Sequence, residues 1–418
     1  MKNEQYHLFR MHMAKKKNKI RVNLKAPKQF VKQRKTALII SLCNVIVLLF
    51  LGYILNNQAI FTGEDLNKYA WMEWIKNKCG LSRDVEEKKD ALFVNVAYDK
   101  QLIERHDDYG MAVGNVDITD RAKLRCFLEV LQRTNAYKYI FMDVRFEKGF
   151  DSPEDSALFS LIINMRNIVV ANHSDIELID TSLASKTAIN DYPTTIIESN
   201  FTRYEYLKDD KESVSLFAYR ELTGNTIDRS LCFYTSNHKL CYKSLFINAP
   251  IEDWSEFNDE QSKMYYNLGN DLLENYSDQE LALLTKDKYV VIGDMVEDMH
   301  DTYSGPKPGA VVTYYAFIAL MNGEHFVRYG LLFILGLLYF AISMSLFESD
   351  SIIERIPFIK RSRSRFIHFC ASFLEYSFLL LVVMIVLNML FGIATSIMLP
   401  SLYFAIQKTI INIKNEKI

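Results

Sequence analysis

Apolar residues occur in two patterns along the chain. Thr36 to Leu55 is an almost unbroken apolar run, Tyr329 to Leu346 is another, and Phe369 to Ile411 is long enough for two more, against the roughly 20 residues an α-helix needs to cross a bilayer. This pattern predicts transmembrane helices over 36–55, 328–346, 368–390 and 391–411, one before and three after a block at 56–327. Within that block the apolar runs are short and broken by turns. Ala91 to Tyr98 is apolar and β-branched and ends at Asp99, so it reads as a buried strand. Thr119-Asp120 resembles an N-cap, and Leu124, Phe127, Leu128 and Leu131 then recur at helical spacing. Tyr139 to Phe146 is the second strand. Pro153 starts a helix with Leu158, Leu161 and Ile162 on one face, and Ile168 to Ala171 is the third strand. A β-α-β-α-β order predicts an α/β domain with a mostly parallel sheet. Residues 174–285 are less regular, with a hairpin at 230–247, and read as an insertion or a second half of the sheet. Lys288 to Gly293 is a further buried strand, followed by an acidic loop and a helix over Val312–Met321 that runs within about seven residues into the second span.

Charge adds orientation. Residues 1–35 carry twelve Lys and Arg against Glu4 alone, and the loop at 347–367 contains Lys360-Arg361-Ser362-Arg363-Ser364-Arg365. By the positive-inside rule both are cytoplasmic, as is the tail at 412–418. The block 56–327 holds 28 Lys and Arg against 45 Asp and Glu, a net charge of −17 that the whole-chain value of −2 conceals. That block is expected outside, on the extracytoplasmic side of the membrane. Thirty-five basic-rich residues precede the first run, and Leu55-Asn56-Asn57-Gln58 offers no small-residue cleavage site, so the run reads as an anchor rather than a signal peptide. The basic segments are read as resting on anionic lipid, not nucleic acid. Four cysteines, Cys79, Cys126, Cys232 and Cys241, fall in the outer block. A turn at Ser236-Asn237 would set residue 232 opposite 241, which makes Cys232–Cys241 a candidate disulfide. Cys126 lies in an apolar helical stripe and reads as a buried free thiol.

Candidate chemistry lies at strand ends. Asp99, Asp143 and Asp294 sit at or near the ends of three predicted strands, and open parallel sheets bind ligands outside the carboxyl ends of their strands. With Glu297, Asp298 and Asp301 they supply hard oxygen ligands for a divalent cation, Ca²⁺ or Mg²⁺. The alternative is a solvated loop with Asp301 capping a turn, and no resident metal or cofactor is expected. As a ligand-facing element, the loop would favour a cation, a basic peptide or a polyhydroxylated molecule. Asp143, inside an apolar strand, reads as a buried carboxylate accepting from backbone N–H groups of a neighbouring loop. The chain lacks the nucleophile-elbow, phosphate-loop, zinc-helix and dinucleotide-turn motifs, so no catalytic residue is assigned. Glu375, about one turn inside the third span, is a candidate for membrane coupling.

The order and spacing of Phe93-Val-Asn-Val-Ala-Tyr-Asp99, Ile118-Thr-Asp-Arg121, Ile140-Phe-Met-Asp143, Asp155-Ser-Ala-Leu158, Tyr289-Val-Val-Ile-Gly293 and Asp301-Thr-Tyr with Pro308-Gly309 resemble the CHASE2 family of extracytoplasmic sensor domains in bacterial transmembrane receptors. The one-plus-three arrangement of spans resembles it too. The resemblance implies a sensor fold in which Arg121, Asp143, Asp155, Gly293, Pro308 and Gly309 form the structural motif. The chain departs from the family pattern before Arg121, where it has Val113-Gly-Asn-Val-Asp-Ile118 in place of a Trp-Pro-Trp-like segment. It departs again after Gly309, with Val311 and Thr313 where a Glu and a His are usual. Such receptors carry an output domain after the last span, where only the tail at 412–418 is expected here. These readings predict a sensor without its own catalytic output, which detects a small molecule or peptide and signals to a separate protein. A structural or accessory subunit of an envelope complex is the alternative, and a homodimer is left open.

Overall fold

The computed structural model describes residues 26–57, 78, 90–106, 109, 111–191, 203–246, 264–302, 305–348, 356–362, 364–391 and 397–416. The chain divides into two compact units. One comprises Met1–Leu51, Tyr329–Leu379 and Leu399–Ile418, and the other Gly52–Arg328 with Leu380–Met398.

The second unit is built on a six-stranded sheet. Its strands are β1 (Ala91–Asn95), β4 (Tyr139–Asp143), β5 (Ile168–Asn172), β6 (Thr187–Ile189), β14 (Tyr265–Asn267) and β15 (Tyr289–Gly293), in the spatial order β14-β1-β15-β4-β5-β6. Every pairing is parallel. Parallel sheets are covered on both faces, which is why their strands read as continuous apolar runs, and every residue of β1 is buried. On one face Leu92, Val94, Ile140, Met142, Val170 and Ile292 pack under α2 (Arg121–Thr134), α3 (Asp155–Asn164) and α5 (Asp278–Thr285). On the other, Phe93, Phe141, Val169 and Val291 pack under α4 (Val214–Thr223) and α6 (Gly309–Met321). Asp120 caps α2 by accepting the Lys123 N–H at 3.0 Å, as its sequence pattern predicts. Residues 174–285 are neither a plain insertion nor a half-sheet. They contribute the two edge strands β6 and β14 and the covering helix α4.

Four expectations are corrected, the first being Cys126, whose thiol is exposed on its helix rather than buried. The first strand stops at Asn95 rather than Tyr98, because the Asn95 side-chain oxygen accepts the N–H groups of Ala97 (3.1 Å) and Met295 (3.0 Å) and turns the chain. The stretch read as a polar loop at Arg105–Gly114 belongs to an antiparallel ribbon, β2 (Lys100–His106) with β3 (Ala112–Thr119). The expected disulfide is not formed, since Cys232 is exposed, Cys241 buried, and both are free thiols. The reason is register. The turn falls at Asn237-His238, both at positive φ, so Cys241 faces Tyr234 and not residue 232. These residues form a three-stranded ribbon of β10 (Asp228–Ser230), β11 (Phe233–Ser236) and β12 (Lys239–Cys241). Two further two-stranded pairings, β7 (Arg203–Glu205) with β13 (Ser244–Phe246) and β8 (Leu207–Lys208) with β9 (Lys211–Glu212), flank it in sequence. A last ribbon, β16 (Met299–Thr302) with β17 (Gly305–Pro308), leads into α6.

The first unit consists of helices. α1 (Ala26–Asn56), α7 (Tyr329–Glu348) and α8 (Arg365–Phe391) contain stretches long and apolar enough to cross a membrane, at Arg34–Asn56, Tyr329–Phe347 and Arg365–Leu387. The fourth expected span is α9 (Met398–Glu416), whose Gln407, Lys408, Lys414 and Glu416 keep it out of that class. α9 still packs its Phe404 against Tyr339 and Tyr376 at ring separations of 6.2 and 5.7 Å. Asn44 of α1 lies in the same unit. Its amide nitrogen donates to the Ser343 hydroxyl (2.6 Å) and the Gln407 side-chain oxygen (2.7 Å), and its oxygen accepts from Tyr403 and Gln407, both at 2.8 Å.

Candidate functional site

The carboxyl edge of the sheet gathers the polar groups, but it uses most of the predicted carboxylates to fasten loops. Asp99, almost fully buried, places one oxygen 2.6 Å from the Lys123 ammonium and accepts the Gly269 N–H on the other at 2.9 Å. The fit is close, since a Cβ at Gly269 would come within 2.3 Å of the Asp99 carboxylate. Asp294 accepts the N–H groups of Val296 (3.0 Å) and Glu297 (2.8 Å) in a side-chain-capped turn. Its other oxygen is 2.9 Å from the Lys100 ammonium. These donors hold the Asp294 carboxyl below its usual range against the opposing effect of burial. Glu297 is exposed, with Lys100 3.9 Å away. Asp301 is exposed in β16, paired with Pro306. Among the described residues no group of three His, Cys, Asp or Glu side chains is arranged to hold a metal.

Asp143, at the end of β4, is different. Its partner is a side-chain amide and not the backbone N–H groups expected from sequence: Asn190 Nδ2 donates to its Oδ2 at 3.1 Å. Burial, and then the field of Asp298, push the Asp143 carboxyl up to about 7, against the opposing influence of His300. His300 Nε2 is 3.3 Å from Asp298, so two carboxylates of the predicted set, Asp143 and Asp298, act on one another and on His300. Asn190 in turn accepts the Thr313 hydroxyl at 3.0 Å and the Tyr204 hydroxyl at 3.5 Å. The backbone oxygen of Thr313 accepts from Ser215 at 2.7 Å. A carboxyl that titrates near neutrality is thus joined through Asn190 to α6. Close approach of α6 to the sheet depends on Gly293, where a Cβ would lie 2.7 Å from that of Ala310. Pro308 is the N-cap of α6, and Gly309 donates its N–H to the Asp298 carbonyl at 3.0 Å. Val311 is fully buried in the core.

Arg121 and Asp155 lie apart from this network. The Arg121 guanidinium is fully buried, 4.3 Å over the Phe146 ring and 3.4 Å from Asp155, and donates to the Arg145 carbonyl at 2.6 Å. Burial lowers its pKa to about 10 despite the nearby carboxylate. Its role is to tie the start of α2 to the segment after β4.

A second constellation went unread in the sequence. The Tyr53 hydroxyl, in the last turns of α1, donates to the Cys241 carbonyl (2.9 Å) and accepts the Tyr234 N–H (2.8 Å). Asn57 accepts the Lys243 N–H at 2.8 Å, and Arg203 donates to the Asn56 carbonyl at 2.9 Å. On the other side of β12, Val327 donates to the Leu240 carbonyl (2.9 Å) and Tyr242 to the His325 carbonyl (2.8 Å). One ribbon therefore holds the segment leaving α1 and the segment entering α7. His325 is fully buried, against Tyr219 and Phe326 at ring separations of 5.5 and 4.0 Å, and neither ring nitrogen has a hydrogen-bond partner among the described residues. Burial drops its pKa to about 4. Glu375 lies partly exposed on α8.

No protein-family model, no curated protein and no solved structure matches this chain.

Proposed function

We propose that the chain is a membrane-anchored, extracytoplasmic sensor of the CHASE2 type, which detects an envelope signal and passes it to a separate protein without a catalytic output of its own. It sits in a bacterial inner membrane with four crossings, α9 being the last, and with the α/β unit outside. One observation carries the reading: the β11–β12 ribbon is hydrogen-bonded both to the end of α1 and to the segment before α7. A change in the domain that shifts this ribbon acts on two apolar helices at once. The Asp143–Asn190–Thr313 chain supplies a route for such a change, because α6 runs from Thr313 towards the same joint. A ligand shifts the equilibrium only by its differential affinity for the two arrangements.

The test is photo-crosslinking from Arg361 in intact cells, comparing the wild type with Asp143→Asn. A cytoplasmic or membrane partner whose crosslink yield changes between the two supports the sensor. A partner that crosslinks in constant yield to the outer domain, with nothing at Arg361, replaces the sensor with the accessory subunit. That second reading is favoured by the β2–β3 ribbon, which exposes Leu102, Met111 and Val113.

A further inference from the structure

The two-residue turn joining β10 to β11 is Leu231-Cys232. Leu231 adopts φ 56°, in a turn class dominated by Gly, Asn and Asp. It is 88% exposed, and Phe233 beside it is 39% exposed. Nothing in the domain's packing calls for a leucine there. The surroundings do supply a reason. The Phe233 ring is 5.6 Å from that of Tyr53, which in turn lies 5.7 Å from Tyr242. Tyr53 falls three residues before the end of the apolar stretch Arg34–Asn56, the position at which aromatic rings gather at a bilayer interface. Leu231 is two strand residues from Phe233, about 7 Å, which keeps it within the depth of the interfacial layer. Charge points the same way. Residues 228–246 hold Arg229, Lys239 and Lys243 against Asp228 alone, a net of +2 inside a block of −17. Lys243 is paired with Glu205, and Arg229 lies 3.8 Å from Asp210, while the Lys239 ammonium sits 5.5 Å over the Phe326 ring.

We propose that the β10–β12 ribbon rests on the bilayer, with Leu231 and Phe233 in the interfacial layer beside the end of α1 and the basic residues over anionic headgroups. Exposed apolar side chains flanked by Lys and Arg are the composition that binds such a surface. The ribbon that ties the two membrane-leading segments together is then itself a lipid contact, so the composition of the adjacent leaflet becomes an input to the joint. The inference rests on the membrane-anchored reading above.

The experiment uses the full chain in vesicles that contain a phospholipid with a diazirine near the top of its acyl chain, and adducts are located by mass spectrometry. The expected result is adducts at 229–234 as well as within α1 at 38–51, none at Leu102, a several-fold higher yield at 229–234 with phosphatidylglycerol than with phosphatidylcholine, and loss of the 229–234 adducts alone in Leu231→Glu. Adducts in α1 without any at 229–234 would overturn the ribbon contact while leaving the membrane anchor standing. Absence from both segments would remove the anchor itself. Equal yield at 229–234 with the two lipids would overturn the electrostatic part. Protein–protein crosslinks through Leu231 in place of lipid adducts would assign the patch to a partner chain.

Discussion

Each unit of this molecule has a buried asparagine at the centre of a side-chain network, Asn44 in one and Asn190 in the other, and the two differ in what they are joined to. Asn44, 3% exposed, satisfies both donors and both acceptor positions with the hydroxyls and amide of Ser343, Tyr403 and Gln407. Asn190, 2% exposed, donates to the carboxylate of Asp143 and accepts from Thr313 and Tyr204. The first set holds no titratable partner in the physiological range. The second has a carboxyl that changes charge near neutrality. The bundle's hub fixes which helix faces meet, whereas the sheet's hub can respond to its surroundings. The surrounding medium matters as well. A domain that unfolds into water exchanges its internal hydrogen bonds for hydrated groups, while polar groups in a membrane find partners even when the native ones are lost.

The largest effect is expected from Asn190→Leu, which leaves Asp143, Thr313 and Tyr204 without their shared partner inside the domain. A buried polar group that loses a partner costs about 1–3 kcal/mol, and the sum over the three is about 3–5 kcal/mol. Hydrogen exchange of the β4 and β15 amides in the full chain measures it. Unchanged protection there would show that the Asn190 network is not built into the sheet's stability.

Asp143→Asn sharpens the contrast by removing the charge while keeping the shape. Because the folded-state pKa is raised from 3.8 to about 7, the folded domain binds more protons than the unfolded chain between those values. The stabilisation is therefore complete below about pH 3.8 and is lost as pH rises through about 7. An amide in place of the neutral carboxyl has no such loss, so the variant should exceed the wild type by about 2–4 kcal/mol above pH 7 and match it near pH 4. Stability of the two proteins as a function of pH, read by the same exchanging amides, checks this. Parallel profiles would mean that Asp143 is ionised throughout.

How much of this was legible in the sequence depends on the range of the interaction. Buried strands such as Tyr289–Gly293 and the capped helix after Asp120 announce themselves through local periodicity and capping chemistry, and the structure has them within a few residues. The clustering of acids at Asp294–Asp301 is also local, but the sequence cannot show that Asp294 is consumed by Val296, Glu297 and Lys100. Asn190 gave no signal because its partners Tyr204, Asp143 and Thr313 lie 14, 47 and 123 residues away. Tyr53 reads as one more residue of an apolar run until its hydroxyl is seen 188 residues along the chain, on Cys241. The disulfide expectation failed on a one-residue shift of a turn, the error to which a hairpin with several turn-forming residues in a row is most exposed.

His325 reverses the sign of the Asp143 effect. Burial holds its folded-state pKa near 4, below the ordinary 6.5, and the side chains packed against it, Tyr219 and Phe326, offer no counter-charge. The folded joint then binds fewer protons than the unfolded chain between pH 4 and 6.5. Its stability is complete above about 6.5 and falls as the medium acidifies, by about 2 kcal/mol at pH 5. In His325→Phe that loss should vanish. Exchange of the Tyr242 and Val327 amides, which bridge β12 to this segment, reads the joint directly, and equal acid sensitivity in both proteins would exclude His325 as its source.

The smallest effect is expected at the bundle's hub. Asn44→Leu deletes four side-chain hydrogen bonds, against the three described for the Asn190 side chain. A count of bonds would therefore rank it first. The opposite ranking follows from the reference state, because Ser343, Tyr403 and Gln407 can bond to backbone carbonyls or to one another within a membrane. Single polar contacts between membrane helices are worth about 0.6 kcal/mol on average, and the expected total for Asn44→Leu is about 1–2 kcal/mol. The loss should appear as altered helix register rather than unfolding, since one polar residue at a helix interface selects among packings that apolar contacts leave close in energy. Cysteine crosslinking between residue 45 on α1 and residue 336 on α7, where a Cβ would lie 3.5 Å from the Val45 side chain, distinguishes the cases in bilayers. A single native crosslink in the wild type that becomes several in the variant supports the hub as a register device, and a variant that loses the bundle altogether would place its contribution above that of Asn190 and undo the comparison.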